Sequence, residues 1–452
     1  SSGDLGSMEG IQANAKILPH LDQTNLSGRS ISRCIIGVKL PPTRLCAQCE
    51  ISRLAGTALT KAVSSVRIPT MSVETLPLLI MTGVSEGSEP EQMVSCTRQA
   101  VTLDLVERAL TVPSLRPVVV STNSPALARR LEEYPILVDL DPPGEPFHFG
   151  RRLAELIDKH RMERCFYLGG GAGPLLTASD MTAIAGAILA ADRQIVTNNF
   201  YSSDFVAFTP TSALKEQPPP ENDNELAWLL GEDARLPIRE LPRTGATQFD
   251  VDTPVDLFTL ASHPGAGPHT RAYLDSLALD LSHLDAALAL MIDRDATILV
   301  AGRVSSATWS YLERETACST RVLSEERGMR ASGRQARGEV RSLLGYYLEE
   351  VGLERFFETL ATMGQALFLD NRVLFAHRGL WPSAADRFHS DLRQPAQIGD
   401  PFVRSLTEAA MAAPVPVIMG GHSLVAGGMY AMVDAAWARG HDVPRHVQPK
   451  VL

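Results

Sequence analysis

Between residues 76 and 208, short apolar runs alternate with helix-patterned stretches, and this alternation constrains the fold more than any other feature. Residues 76–81 (LPLLIM), 116–123 (RPVVVSTN), 136–139 (ILVD), 165–168 (CFYL), 195–197 and 205–208 are too short for helices and read as buried strands. Between them, residues 101–110 place Leu103, Val106 and Leu110 on one helical face. Pro125 opens a second helix over 124–131, and residues 149–160 form a third. Ser179 is expected to cap a fourth over 180–191. Strand and helix in turn predict a mostly parallel, Rossmann-like sheet with helices on both faces. In such sheets ligands bind beyond the carboxyl ends of the strands.

The polar groups of the chain gather at those ends. They are Thr82-Gly83, Thr122-Asn123, Asp139-Leu-Asp141, the glycine run 169–173, Asn198-Asn199, and Asp250-Val-Asp252-Thr-Pro254. Glycine runs expose backbone N–H groups that cradle phosphate. Paired carboxylates suit Mg²⁺, which shares its coordination with waters and phosphate oxygens. Each feature also has a plainer reading. Gly169, Gly170 and Gly171 suit a strand-to-helix turn, and Asp139 and Asp141 flank a Pro-Pro-Gly turn. Residues 253–256 form a helix start, with Thr253 at the cap and Pro254 in the first turn. That start does not account for Asp250, which precedes it.

Residues 248–257 (QFDVDTPVDL) resemble the closing motif of nucleotidyltransferases with a glycosyltransferase-A-type fold, most nearly the molybdenum-cofactor and phospholactate guanylyltransferases. The order of elements from 76 to 257 fits that resemblance, as do residues 167–177 (YLGGGAGPLLT) and an acceptor side at 197–208. The resemblance implies a nucleotide-diphospho-sugar transferase fold and Mg²⁺ as cofactor. A nucleoside triphosphate and a small phosphorylated or hydroxyl acceptor would be its partners. It implies Asp250 and Asp204 as catalytic residues and Asp250 and Asp252 as metal ligands. It also implies Thr82, Gly83, Thr122, Asn123, Gly169, Gly170, Gly171, Asn198 and Asn199 as nucleotide-binding residues. The chain departs from the family twice. Residues 82–90 contain no Arg or Lys to hold a triphosphate, and the metal-binding Asp before Pro-Leu-Leu is replaced by Gly171, Ala172 or Gly173. A second expectation therefore stands beside the first, a non-catalytic nucleotide- or sugar-nucleotide-binding protein on the same fold.

At roughly 150 residues per domain, 452 residues suggest two or three domains. Residues 1–72 read as a leader, tag or upstream extension, because residues 1–70 hold no Phe, Trp or Tyr and carry a net +4. Within it, Cys46 and Cys49 sit at zinc-ligand spacing, but no second pair matches them. Residues 73–275 are the transferase-like domain and 276–452 a second α/β domain. Strands are expected in the latter at 296–301, 321–324, 367–370, 372–375 and 415–419, with long helices over 277–291, 339–360 and 423–438. Five arginines between Arg327 and Arg341, Arg330 and Arg334 among them, suggest a glycine-hinged lid that captures phosphate. Asp370, Arg372 and His377 are expected on consecutive strands lining one cleft. Ser423, in a glycine-rich turn after a strand, resembles a hydrolase nucleophile, but Val425 replaces the closing glycine of that motif. The net charge of −10 argues against a nucleic-acid coat, and no apolar run reaches 18 residues. Six cysteines in this length point to a reducing, cytoplasmic setting.

Overall fold

The computed structural model describes residues 74–84, 87–142, 144 and 146–440. The expectations for the leader, including Cys46 and Cys49, lie outside the described residues. The first sheet contains β1 (Leu76–Thr82), β2 (Leu115–Thr122), β3 (Leu137–Leu140), β4 (Cys165–Gly169), β5 (Gln194–Thr197), β6 (Phe205–Thr209) and β7 (Ile238–Glu240). Their order is β3-β2-β1-β4-β6-β5-β7, and only β6 runs against its neighbours. Side chains alternate along β1. Leu76, Leu78 and Ile80 enter one core, and Leu79 and Met81 enter the core on the other face.

The second sheet holds β8 (Thr297–Gly302), β9 (Ser319–Ser324), β10 (Ala366–Asp370) and β11 (Val417–Gly420), in the order β11-β10-β8-β9. All its pairings are parallel. It too has a core on each face. Ile298 and Val300 lie in one, and Leu299 and Ala301 in the other.

The helix Pro254–Ser262 joins the two sheets. It is buried nearly all round, with Asp256, Thr259 and Ser262 as its one polar face. Leu257 and Leu260 pack into the core of the first sheet, and Val255 and Phe258 into that of the second. Burial of such side chains is worth about 1.5–3 kcal/mol each. The segment just before this helix, which carries Asp250 and Asp252, is therefore fixed from both sides. The helix Gly427–Arg439 seals the same junction. Its Ala431 reaches the first core, while Met429 and Val433 lie in the second.

Several local expectations need correction. The first helix runs over Glu89–Leu110, twice the predicted length, because Ser88 and Glu91 form a capping box upstream. Thr177, not Ser179, caps Ala178–Leu189, and Asp180 completes its box. The stretch 277–291 is helical only over Ser282–Met291, and 339–360 breaks at Gly352, whose φ of 78° ends one helix and starts the next. Arg372–His377 is a helix following β10, not a strand. A run that short cannot be assigned from its periodicity. His377 accordingly leaves the edge of the sheet and accepts a hydrogen bond from Ser342 N–H at 3.1 Å.

Candidate functional site

A cleft of about 750 Å³ opens at the carboxyl edge of the first sheet. Thr82 and Gly83 after β1, Asn123 after β2 and the glycine run after β4 line it. Because β6 is reversed, its amino end arrives at the same edge, and that brings in Asp204. The motif segment completes the site by pairing with the glycine run. Val251 N–H donates to Gly171 O at 3.0 Å, and Asp250 bridges to Ala172. Asp250 and Asp252 thereby enter the cleft.

Gly169, Gly170 and Gly171 all line the cleft, and Gly171 must be a glycine. A Cβ there would stand 2.8 Å from Val251 O and 3.1 Å from Arg98 Nε. The position therefore has no room for the missing family carboxylate. Asp223, from a polar turn that gave no signal in the sequence, lines the cleft instead. It accepts a hydrogen bond from the Tyr167 hydroxyl at 3.0 Å.

Three expected nucleotide contacts fall outside the cleft lining. Thr122 is fully buried, and its Oγ1 accepts from Ser124 N–H at 3.1 Å, tightening the turn after β2. Asn198 holds Asp204: its Nδ2 donates to Asp204 Oδ2 at 2.6 Å, and its Oδ1 accepts from Asp204 N–H at 3.1 Å. Asn199 shapes the following turn by accepting from Tyr201 N–H at 3.2 Å. Asn123 does line the cleft, but both ends of its amide are tied to the Val84 backbone. Arg330 and Arg334 are absent from the lining.

The cations that sequence reasoning missed are Arg98, Arg151 and Arg152, all in the cleft lining. Arg98 sits within the first helix and reaches across 154 residues to Asp252 at 2.7 Å. Arg152 is held by Asp141 Oδ1 at 2.9 Å and Ser121 Oγ at 3.1 Å, so Asp141 is occupied. Asp139 is likewise taken by Lys159 and His160. Arg151 is exposed on the first turn of Phe149–Lys159, beside Phe147, which is also exposed.

Acidic crowding dominates the electrostatics. Burial, opposed by the Asn198 hydrogen bond and aided by Asp252 and Asp223, pushes Asp204 up to about 7. Burial, then Asp252 and Asp204, holds Asp250 well above the ordinary carboxylate range. Burial also raises Asp223. Asp256 lies behind this group, fully buried and pushed up to about 7 by burial and then Asp252. Its Oδ2 accepts from Asp252 N–H at 3.0 Å, Thr253 N–H at 2.7 Å and Ser423 Oγ at 3.0 Å. Ser423 therefore donates to a buried carboxylate and is not arranged as a nucleophile.

Among the described residues, one set brings three metal-ligand atoms within 4.8 Å of one another: Asp104, Glu107 and His269. Its atoms are already employed. Asp104 caps Pro268–Ser276 through His269 N–H, Thr270 N–H and Thr270 Oγ1 at 2.9, 2.9 and 2.6 Å. Glu107 accepts from the Tyr134 hydroxyl at 2.8 Å and lies 2.8 Å from His269 Nε2.

No family model matches the chain, and no curated protein matches it. Solved structures resemble part of it. A cytidylyltransferase from Leptospira borgpetersenii is 14% identical over 45% of this chain and 93% of its own, with a TM-score of 0.34. A nucleotidyl transferase from Methanothermobacter thermautotroptrophicus is 10% identical over 40% and 89%, with a TM-score of 0.30. Rv0371c from Mycobacterium tuberculosis, in complex with manganese, is 18% identical over 40% and 95%, with a TM-score of 0.28. Likeness at this level leaves the chemistry of the cleft to be argued from its own residues.

Proposed function

We propose that the cleft binds a nucleoside triphosphate together with a divalent cation and transfers the nucleotidyl group to a small phosphorylated or hydroxyl acceptor. The observation that carries this is the convergence of Asp204, Asp223, Asp250 and Asp252 on the cleft beside the glycine run. Four neighbouring carboxylates, three of them partly buried, repel one another and need protons or a cation. Hard oxygen donors suit Mg²⁺ or Mn²⁺, and one or two carboxylates suffice when phosphate supplies the rest. Asp250 and Asp252 fit that part. A bound cation would neutralise the phosphates and the departing pyrophosphate.

The remaining roles follow from the side chains. Gly169 N–H is taken by Asp204 O at 3.2 Å, which leaves the N–H groups of Gly170 and Gly171 for a phosphate chain, and Arg151 adds positive charge to the lining. Phe147 offers an aromatic face for a base. Asn198 holds Oδ2 of Asp204, which leaves Oδ1 to accept the proton of an acceptor hydroxyl. With its pKa near 7, Asp204 suits a general base near neutrality. The acceptor oxygen then bonds to the α-phosphorus as the bond to pyrophosphate breaks.

A second reading rests on one specific contact. Arg98 already pairs with Asp252, and Gly171 leaves no space for a further carboxylate. Both features suit a protein that binds a nucleotide without turning it over. Pyrophosphate release, followed with each nucleoside triphosphate against a panel of phosphorylated and hydroxyl acceptors, separates the two readings. Transfer predicts release that falls about 100-fold or more in Asp250→Asn. Cation-dependent binding with no release under any combination would leave the second reading standing.

A further inference from the structure

The carboxyl edge of the second sheet is as polar as that of the first, with the opposite sign. Its strand ends are drawn tightly together. Gly302, at the end of β8, has a φ of 116°, and a Cβ there would lie 2.5 Å from that of Asp370, at the end of β10. Glu325 N–H after β9 donates to Gly302 O at 2.8 Å. After β11, a Cβ on Gly421 would come within 3.9 Å of Arg372 Nε.

Two buried guanidinium groups are anchored at this edge. Arg303 meets Asp370 with two hydrogen bonds, Nε to Oδ2 at 2.5 Å and Nη2 to Oδ1 at 3.0 Å. Arg372 meets Asp391 in the same way at 2.8 and 2.6 Å. Burying two such pairs carries a desolvation cost that a purely structural core would avoid. Asn371 between them is fully buried, and its Nδ2 has no partner among the described residues.

Uncompensated positive charge surrounds these pairs. The segment from Arg327 to Arg341 is a chain of turns and is pinned in place. Met329 is fully buried against Val340 and Ala376, the latter on the helix that begins at Arg372. Arg334 pairs with Glu326 at 2.8 Å and Arg337 with Glu339 at 2.8 Å, so neither is free to capture a ligand. Arg327 and Arg330, on either side of Met329, have no side-chain partner among the described residues. Arg330 and Arg372 each lie close enough to Arg387 for their charges to act on it, opposed by Asp391 and Glu91. Burial first, then Arg372 and Arg330, draws the Arg387 guanidinium below its ordinary value.

The turn after β11 completes the arrangement. Among the described residues, the N–H groups of Gly421 and His422 have no acceptor. His422 is exposed at this turn. Desolvation by its neighbours and then the Arg303 charge, opposed by Asp370 and Asp252, bring its imidazole down to about 4, so it is neutral at physiological pH. A neutral ring adds no charge but can donate one N–H.

We propose that this edge is a separate site for a small phosphate-bearing molecule, held by Arg327, Arg330 and the N–H groups of the Gly421-His422 turn. Arg303 and Arg372 form its positive floor. Forked donors, free backbone N–H groups and a parallel-sheet carboxyl edge are the components from which phosphate sites are assembled. The first cleft lacks this character, because its carboxylates repel an unaccompanied phosphate. The proposal does not depend on nucleotidyl transfer in that cleft.

The full chain, labelled at histidine, is titrated with inorganic phosphate and followed by the His422 ring signals, assigned through His422→Gln. Those signals should move and saturate. In Arg327→Ala/Arg330→Ala the apparent affinity should fall about tenfold or more, since charge-assisted contacts to phosphate are lost. In Asp250→Asn, which removes a carboxylate of the first cleft that does not itself act on His422, phosphate affinity should be unchanged. Both arginines project from the surface, and a cooperative melt of the double variant checks that the fold survives. His422 signals that stay still under phosphate, or that titrate equally in the double variant, would overturn the site.

Discussion

The two sheet edges share a topology and differ in how they handle charge. At the first, Asp204, Asp223, Asp250 and Asp252 crowd together, and the one direct ion pair among them is Arg98–Asp252. At the second, each buried arginine has its own aspartate, and the excess charge is positive. An acidic edge can take a triphosphate only with a cation between them. A basic edge takes phosphate directly. The edges meet at Asp256, which receives Thr253 N–H from one side and Ser423 Oγ from the other. One fold principle, polar loops beyond parallel strands, thus gives two edges of opposite charge within one compact unit.

The largest effect should come from unbalancing the basic edge. Asp370→Ala leaves Arg303 buried without its partner, and loss of one member of such a pair costs about 3–5 kcal/mol. Urea unfolding measures this directly. A loss below about 1 kcal/mol would mean that Arg303 escapes to solvent and that the edge is less rigid than described.

Next comes the link between the edges. Asp256→Ala strands the N–H groups of Asp252 and Thr253 and the Ser423 hydroxyl, a loss of about 1–3 kcal/mol. Unchanged stability would show that the edges are not tied through this carboxylate.

The acidic edge predicts a pH response of definite sign. Asp204 and Asp256 titrate near 7 in the folded chain, against an ordinary 3.8. Between those values the folded state binds more protons than the unfolded state, so stability falls as pH rises from about 4 to about 7. The change should be on the order of 1–3 kcal/mol, and millimolar Mg²⁺ should reduce it. Denaturant midpoints at pH 5 and pH 7.5, with and without Mg²⁺, test this. A rise in stability over that range would contradict the crowding.

Much of this arrangement was legible from sequence. The short apolar runs marked the strands, and Thr253-Pro254 marked a helix start that left Asp250 unexplained. The same logic pointed to Gly169 through Gly171, Thr82 and Gly83, and the family resemblance to Asp204; all of them line the cleft. What escaped depended on distance or direction. Arg98 reads as one more polar residue of a long helix, and its partner lies far along the chain. Nothing in residues 205–209 announces a reversed strand, so the delivery of Asp204 to this edge could not be derived from pattern alone. Asp223 sits in a turn where acidic residues are ordinary. Arg330 and Arg334 appeared equivalent by spacing, yet Glu326 occupies Arg334, and Arg330 has no side-chain partner among the described residues.

The smallest stability effect is expected where the chain is most exposed. Arg327→Ala/Arg330→Ala should change unfolding free energy by no more than about 0.5 kcal/mol. A large loss would show that these arginines hold the turn segment together and are not reserved for a ligand.

Calorimetric titration of nucleoside triphosphates into the full chain tests the central claim most directly, with Mg²⁺ present and with it removed by chelation. If the acidic edge takes a triphosphate through a cation held by Asp250 and Asp252, affinity should fall at least about tenfold without Mg²⁺. The Mg²⁺ dependence should disappear in Asp250→Asn. Equal affinity with and without the cation, or a dependence that survives Asp250→Asn, would contradict the account.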